Sequence, residues 1–277
     1  FSSNPTESNA VEFFRKDLPY WYHMTSSNSC TENCNFELGI PHLRKTDGED
    51  SIEKQLEKYI NNNLGNCLQD FQPFREEKFD ISMKGDINTE VTVTSKDVDV
   101  FVEYPMSIKR QFETKGVHVS EFFVELPVDF EKIYSLAKEL AIDEKENVFL
   151  ERNTMNWVTI FSRPDPDYLP PFQDVSFECN PSVLWTKSDV RDNKLKPILM
   201  NFVPLMKVYE TLNYEPYDFE DEITQSLYSQ MVIPIVSENT KDLNVFMDYV
   251  DQPLYMNIDP NDGEILKSVD MDISLGS

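Results

Sequence analysis

The side chains best suited to chemistry are either scarce in this chain or too common to single out. There are only three histidines, and no Gly-x-Ser-x-Gly nucleophile motif or glycine-rich phosphate-binding loop occurs. Aspartate and glutamate together number 50, so almost any two carboxylates could be proposed as an acid–base pair. The sequence therefore favours a non-enzymatic role and implies no cofactor. A carboxylate-based hydrolase acting on cell-wall or peptide material is the alternative.

The four cysteines are the next candidates, and an even number allows three pairings. We expect two disulfide bonds, as in a protein of an oxidising compartment, and favour Cys30–Cys34 and Cys67–Cys179. The first bond would close the short, turn-rich loop CTENC. The second would close a long loop, which by chain entropy stabilises a fold by roughly 4–5 kcal/mol. Free or differently paired thiols remain open.

A zinc site competes with the first of these bonds. His23, Cys30, Cys34 and His42 lie close together in the sequence and offer ligand atoms that zinc accepts. Their spacing, H-x6-C-x3-C-x7-H, fits no common zinc module, so we predict no metal site here.

Two acidic stretches and one histidine have simpler interpretations. DPNDGE, from Asp259, resembles a calcium loop only loosely and is better explained as a hairpin turn. DFEDE, from Asp218 to Glu222, is typical of a solvated acidic loop. His118 lies in a predicted strand beside a polar turn, where an exposed side chain is expected.

The aromatic residues could form a binding surface. Tyr20, Trp21 and Tyr22 are consecutive, and with Trp157 and Trp185 they could stack against a sugar or a peptide. Aromatic side chains more often belong to the core, which is the alternative. We keep Tyr20, Trp21 and Tyr22 as a candidate contact patch.

Net charge excludes one class of partner. With 25 basic residues against 50 acidic ones, the chain carries a formal charge of -25, which repels nucleic-acid backbones. No apolar run approaches the ~18 residues that a membrane-spanning helix needs. We therefore expect no nucleic acid as partner, and contact with a membrane only through an N-terminal helix that is missing from this sequence.

Hydrophobic periodicity indicates the elements that would position these side chains. After an N-cap at Asp50 or Ser51, apolar residues recur at helical spacing up to Leu68. From Phe79 the period changes to two. The segments FVEYPMSIK and FVELPVDFE, which begin at Phe101 and Phe123, predict the two arms of a hairpin around RQFETKG. A second helix follows Pro127.

The pattern predicts an α+β fold, an antiparallel β-meander with helices packed on one face, plus a second, smaller α+β section. We divide the chain into an irregular N-terminal arm (1–48), a helix–β-meander–helix domain (49–163) and the second section with a C-terminal hairpin (164–277). The arm carries several aromatic residues that it cannot bury alone. We expect it to dock on the main body or on a neighbouring subunit.

Four stretches carry a family resemblance: NNNLGNCLQDFQPF, VFVEYPMSIKRQ, FFVELPVDFEKIYSLAKEL and LPPFQDVSFECNPSVLWTKSDV. They resemble a group of archaeal envelope proteins in which a pilin-like N-terminal membrane helix precedes an extracytoplasmic domain. The resemblance covers roughly residues 50 to 190. It implies that Cys67 and Cys179 match the recurring cysteines of that group, and that the domain faces outward. It implies no reaction, and the membrane helix is absent from this sequence.

These observations together predict a cell-surface or envelope domain that is extracellular and membrane-anchored in the full-length protein. Its expected role is interaction or structure, in adhesion or in surface assembly. The expected partners are other surface proteins or copies of itself.

Overall fold

The structure is a computed structural model. It describes residues 10–13, 16–26, 33–48, 50–163, 165, 167–170, 184–186, 188–235, 237–238, 240–249 and 265–267. The strands are β1 (Ala10–Phe13), β2 (Lys16–Pro19), β3 (Tyr22–Met24), β4 (Phe36–Leu38), β5 (Phe79–Met83), β6 (Asn88–Val93), β7 (Val98–Arg110), β8 (Val117–Leu126), β9 (Leu184–Thr186), β10 (Lys207–Val208), β11 (Val232–Ile233) and β12 (Ile265–Lys267). The α-helices are α1 (Ile52–Leu68), α2 (Gln72–Glu76), α3 (Phe130–Asn147), α4 (Phe149–Ile160), α5 (Lys196–Phe202) and α6 (Glu222–Ser229).

Helices and antiparallel sheets are both present, which confirms the α+β class. The chain forms two compact units. The first contains Ile40–Lys138, and the second combines Ser2–Gly39 with Glu139–Ser277. This grouping differs from the predicted division at 48/49 and 163/164, because the N-terminal part clusters with the C-terminal part. Compact units need not coincide with independently folding domains, so the predicted domain bounds stay a prediction.

A four-stranded, meander-like antiparallel sheet forms the centre of the first unit. Strand β7 is long enough to pair with three others. β8 lies along one side of it, while β6 and β5 share the other side, β6 opposite the first half of β7 and β5 opposite the second. The predicted hairpin of β7 and β8 is confirmed, and its register places Phe101 directly opposite Phe123.

Helix α1 covers one face of this sheet. Ser51 caps it, as predicted, by accepting a hydrogen bond from the backbone N–H of Lys54. Ile52, Leu56 and Ile60 then pack against a core cluster of buried residues from β6, β7 and the preceding loop: Leu43, Val91, Val93, Val98 and Val100. The apolar stripe of the helix is thus used as the sequence predicts.

The N-terminal part of the second unit is not irregular where the structure describes it. β1 pairs with β2, and β3 pairs with β4, both antiparallel. Ala10 and Met24 are buried. The described residues of the predicted arm up to Gly39 therefore contain two strand pairs and belong to the same compact unit as Glu139–Ser277, whereas residues 40–48 belong to the first unit.

The C-terminal part of this unit has its own core. Trp157 is fully buried and lies 5.5 Å, between ring centroids, from Phe202. A π-helical segment, Asp189–Leu195, leads into α5, where Pro197 occupies the first turn. Proline lacks the backbone N–H that a continuing helix needs, and the change of helix type falls directly before it.

The last strand pair of the structure is formed by β9 and β12. β12 pairs with β9 antiparallel, whereas most of the predicted C-terminal hairpin, including the turn from Asp259, falls outside the described residues. Among the helices that the structure describes, none has the length and apolar character that a membrane crossing requires.

Candidate functional site

Two acidic side chains of α1 close one edge of the sheet. Glu53 and Glu57 are only 3% and 7% exposed. A carboxylate oxygen of Glu53 accepts the backbone N–H of Val93 at 2.8 Å, and one of Glu57 accepts that of Val91 at 3.1 Å. These N–H groups belong to β6 and point away from β7. An edge strand would otherwise offer them to another chain, so the glutamates block strand addition at β6.

Basic side chains hold the second of these carboxylates in its charged form. The Lys54 ammonium lies 2.9 Å and that of Lys45 3.4 Å from the carboxylate oxygens of Glu57. Burial alone would raise the pKa of Glu57. The hydrogen bonds from Lys54 and from the Val91 N–H, with the charges of both lysines, outweigh burial and lower that pKa from its ordinary value.

The direction of the β6 amides determines the direction of the amides in the facing parts of β7 and β8, up to the register shift after Glu103. In an antiparallel pair, successive residues point their N–H and C=O groups to alternate sides. Since Val91 points outward, Glu90, the residue before it, faces β7. Its partner on β7 is Phe101, which faces β6 in return. Val100, one residue earlier, must therefore face β8.

The same alternation leaves the far edge of β8 open. Val100 is opposite Val124, so Val124 faces inward and its neighbours face outward. The backbone N–H and C=O groups of Glu121, Phe123 and Glu125 thus point away from the sheet. Among the described residues, β8 pairs only with β7, and no side chain covers this edge as Glu53 and Glu57 cover β6.

Apolar side chains are exposed on both faces of β8. Phe123 is 59% exposed on the face that α1 does not cover. On the α1 side, Val124 is 51% exposed because α1 packs chiefly over β6, and Phe122 and Leu126 are exposed there as well. An open edge with apolar residues on both faces is the arrangement that β-strand addition uses.

The face of the sheet away from α1 combines aromatic and acidic side chains. Phe101 and Phe123 form its centre as a cross-strand pair. Asp99 lies opposite Glu125 on one side of them, and Glu103 lies opposite Glu121 on the other. Within the described chain, no lysine, arginine or histidine forms a salt bridge with any of these four acids. Like charges directly opposite each other are unfavourable, so this face carries unrelieved repulsion.

A pair of carboxyl groups with unlike surroundings also exists, in the second unit. Glu144, near the end of α3, is buried, while Glu151 in the first turn of α4 is exposed. Burial, followed by the hydrogen bond and the charge of Glu151, raises the pKa of Glu144 to about 9. Burial and the charges of both glutamates also raise the pKa of Tyr22. Glu144 can hold a proton at neutral pH, as a general acid must.

Neither of the two grooves that we describe provides a substrate cleft beside Glu144 and Glu151. One groove, of about 490 Å³, lies between α4 and α6, and Glu222 is the one carboxylate that lines it. A second, of about 360 Å³, is lined by tyrosine, proline and amide side chains and has no carboxylate. Neither groove includes Glu144 or Glu151. Acid–base chemistry is therefore not supported by these cavities.

The cysteine predictions have mixed outcomes. Cys34 is disulfide-bonded, and its partner is not among the described residues. The Cys30–Cys34 bond stays a prediction, because Cys30 lies outside those residues. Cys67 is a free, exposed cysteine. The predicted Cys67–Cys179 bond is therefore wrong for Cys67, which lies on the exposed side of α1; Cys179 itself falls outside the described residues.

The candidate aromatic patch is partly used inside the protein. Tyr20, Trp21 and Tyr22 are each half-buried, and the ring of Tyr22 stacks on Phe36 with centroids 5.5 Å apart. Trp157 and Trp185 are buried, as expected for core residues. The contact patch stays a prediction for the three N-terminal residues.

The remaining candidates have structural explanations. His118 is exposed on β8, and Asp221 of the DFEDE stretch caps α6 by accepting the N–H of Thr224. No group of three potential metal ligands occurs in the part of the chain that the structure describes, and of the proposed zinc set Cys30 falls outside it.

The fold and site define an α+β protein whose antiparallel sheet has one sealed edge and one open edge. Comparison of the chain with family models, with curated proteins and with solved structures found no match.

Proposed function

We propose that this chain is a protein-interaction domain of the cell surface or envelope, and that it docks its partner along the open edge of β8. The observation that carries the proposal is the contrast within one sheet. Buried glutamates occupy the outward amides of Val91 and Val93 on β6, whereas those of Glu121, Phe123 and Glu125 are unoccupied by any described residue. Proteins generally protect their sheet edges, so an edge left open beside a sealed one indicates use.

Three observations support the rest of the proposal. Apolar side chains are exposed on both faces of β8, which would provide contact area beside the backbone hydrogen bonds. The disulfide at Cys34 is consistent with an oxidising compartment. The charge of -25 suits a protein that meets other proteins and not nucleic acids.

Replacing Glu121 by proline tests the docking strand. Proline removes the outward N–H of this residue without touching the bonds that face β7, so the fold should persist. Glu121→Thr is the matched control, because it removes the same charge and keeps the N–H. A random-peptide library displayed on phage would be selected on the wild-type protein, and the enriched peptides would then be measured on both variants.

We expect the selected peptides to bind Glu121→Pro at least about tenfold more weakly than the wild-type protein, which corresponds to about 1.4 kcal/mol. Glu121→Thr keeps the backbone N–H, so the peptides should still pair with β8 in this variant. Circular dichroism and thermal melting would verify that both variants are folded. Equal binding to wild-type protein and to a folded Glu121→Pro variant would refute docking along β8.

A further inference from the structure

We infer that the strand which β8 receives is a basic one, an extended segment of another protein in which lysine or arginine alternates with apolar residues. This inference rests on the proposed function and adds the chemistry of the partner. It follows from the acidic pairs around Phe101 and Phe123, from the exposed apolar residues on the opposite face, and from the charge of the other candidate occupants.

The open face determines which side chains fit beside β8. A strand added at this edge would lie about 4.8 Å away, with its side chains directly beside those of β8. Its residues on this face would meet Glu121, Phe123 and Glu125 in succession. A cationic, an apolar and a second cationic residue would satisfy these three positions, since opposite charges across neighbouring strands are favourable.

The acidic pairs strengthen this preference. Asp99 opposite Glu125, and Glu103 opposite Glu121, place four carboxylates around one exposed aromatic pair. An incoming cation at either end of Phe123 would face two carboxylates, its neighbour on β8 and the next one on β7. It would also relieve the repulsion between them. A bound basic strand would therefore reduce the electrostatic repulsion between carboxylates that is present in the free sheet.

The other face requires apolar residues from the same strand. Phe122, Val124 and Leu126 are exposed there beside the α1-covered core. Because side chains of a strand alternate between faces, the two residues next to the central apolar one would meet Phe122 and Val124. The residue after the cation opposite Glu125 would meet Leu126. The pattern that fits is Lys-Val-Phe-Val-Lys, in which charged and aromatic residues share the acidic face and the valines contact the apolar one.

A second copy of this chain fits the edge poorly. Each copy carries a charge of -25, so association begins against net repulsion. Two β8 strands paired antiparallel about a two-fold axis would also bring Glu121 and Glu125 of both copies to the same face at adjacent or diagonal positions. Such pairing would add acid to an already acidic surface.

The chain's own remaining segments are equally unsuitable by charge. The longer runs outside the described residues are 1–9, 27–32, 171–183, 250–264 and 268–277. Each contains at least one acidic residue, and none contains a lysine or an arginine. A basic segment of a different protein is thus the occupant that the charges favour.

Three synthetic peptides with identical flanks would test the inference by fluorescence anisotropy. They contain Lys-Val-Phe-Val-Lys, the neutral analogue Thr-Val-Phe-Val-Thr, and Lys-Lys-Val-Phe-Val, in which the composition is kept and the alternation is broken. Each would be titrated with wild-type protein, with Glu121→Gln/Glu125→Gln, which removes two charges and keeps the backbone N–H groups, and with Glu121→Pro.

We expect the alternating basic peptide to bind wild-type protein about tenfold more tightly than the neutral one. The Gln double variant should lose most of that preference, and added salt should weaken binding of the basic peptide alone. Equal binding of the alternating and rearranged basic peptides would refute the inference, because it indicates general charge attraction. Equal binding of the basic and neutral peptides would also refute it but leave docking on β8 intact. Undiminished binding of the alternating peptide to a folded Glu121→Pro variant would instead refute the proposed function.

Discussion

Replacing Glu53 by leucine should destabilise the first unit and expose two particular amides to solvent exchange. One carboxylate oxygen of Glu53 accepts the N–H of Val93, and the other accepts the N–H of Lys45, both at 2.8 Å. Leucine is similar in size but has no acceptor. A buried N–H left without a partner costs about 1–3 kcal/mol, and the N–H of Val93 is buried while that of Lys45 is half-buried. Removing a buried charge offsets part of this, so we expect a net loss of about 2–4 kcal/mol.

Urea unfolding followed by circular dichroism would measure the change in stability, and amide hydrogen exchange would locate it. In Glu53→Leu the amides of Val93 and Lys45 should exchange faster than global unfolding explains. The amide of Val91 is the internal control, because its acceptor is Glu57. Glu53→Gln keeps one acceptor oxygen and should lose about half as much stability.

The reasoning would be refuted if the Val93 amide in a stable Glu53→Leu variant exchanged as slowly as in the wild-type protein. That result would mean that the carboxylate is not what protects the edge of β6. The same outcome would weaken the contrast between the two edges on which docking at β8 depends.

Three further predictions concern other parts of the protein. Because the pKa of Glu144 rises from 4.5 to about 9 on folding, the folded state retains a proton that the unfolded chain releases. The free energy of unfolding should therefore decrease as the pH is raised from about 4.5 to about 9. In urea titrations, Glu144→Gln should make the free energy of unfolding less dependent on pH over this range. Cys67 is exposed and unbonded, so it should react with iodoacetamide without denaturant, and Cys67→Ser should change stability by less than about 0.5 kcal/mol; an unreactive native thiol would contradict the structure. Asn153 is fully buried and donates to the carbonyls of Phe149 and Gln230, so Asn153→Ala should cost about 1–3 kcal/mol in thermal or urea unfolding.

The predictions that the structure confirms were made from local patterns of apolar residues in the sequence. The stripe of Ile52, Leu56 and Ile60 specifies which side of α1 is buried, because helical spacing places these residues on one face. The repeated Phe-Val-Glu-x-Pro segments specify a hairpin, since each arm alternates and a polar turn joins them. The structure adds the register, in which Phe101 lies opposite Phe123. Each of these features depends on residues close together in the sequence.

Features that depend on distant residues could not be predicted in this way. Whether Cys67 forms a disulfide bond depends on the position of another cysteine far away in the sequence. The strand pairs before residue 39 require partners that no local pattern in a turn-rich segment indicates. Helix α4 follows α3 after one residue in the left-handed region, Val148, where the sequence shows no glycine or proline to mark a break.

The candidate site shows the same division. From sequence, Glu53 and Glu57 are two acids at helical spacing beside an apolar stripe, which is typical of a solvated flank. Nothing local distinguishes them from other acids in this chain. Only the tertiary structure brings them to the amides of Val93 and Val91, which are 40 and 34 residues away, and so closes one edge of the sheet. The sequence by itself determined that β8 is an alternating strand beside β7. Whether its other edge is covered depends on which elements pack around the sheet, and that is decided by the packing of the whole unit.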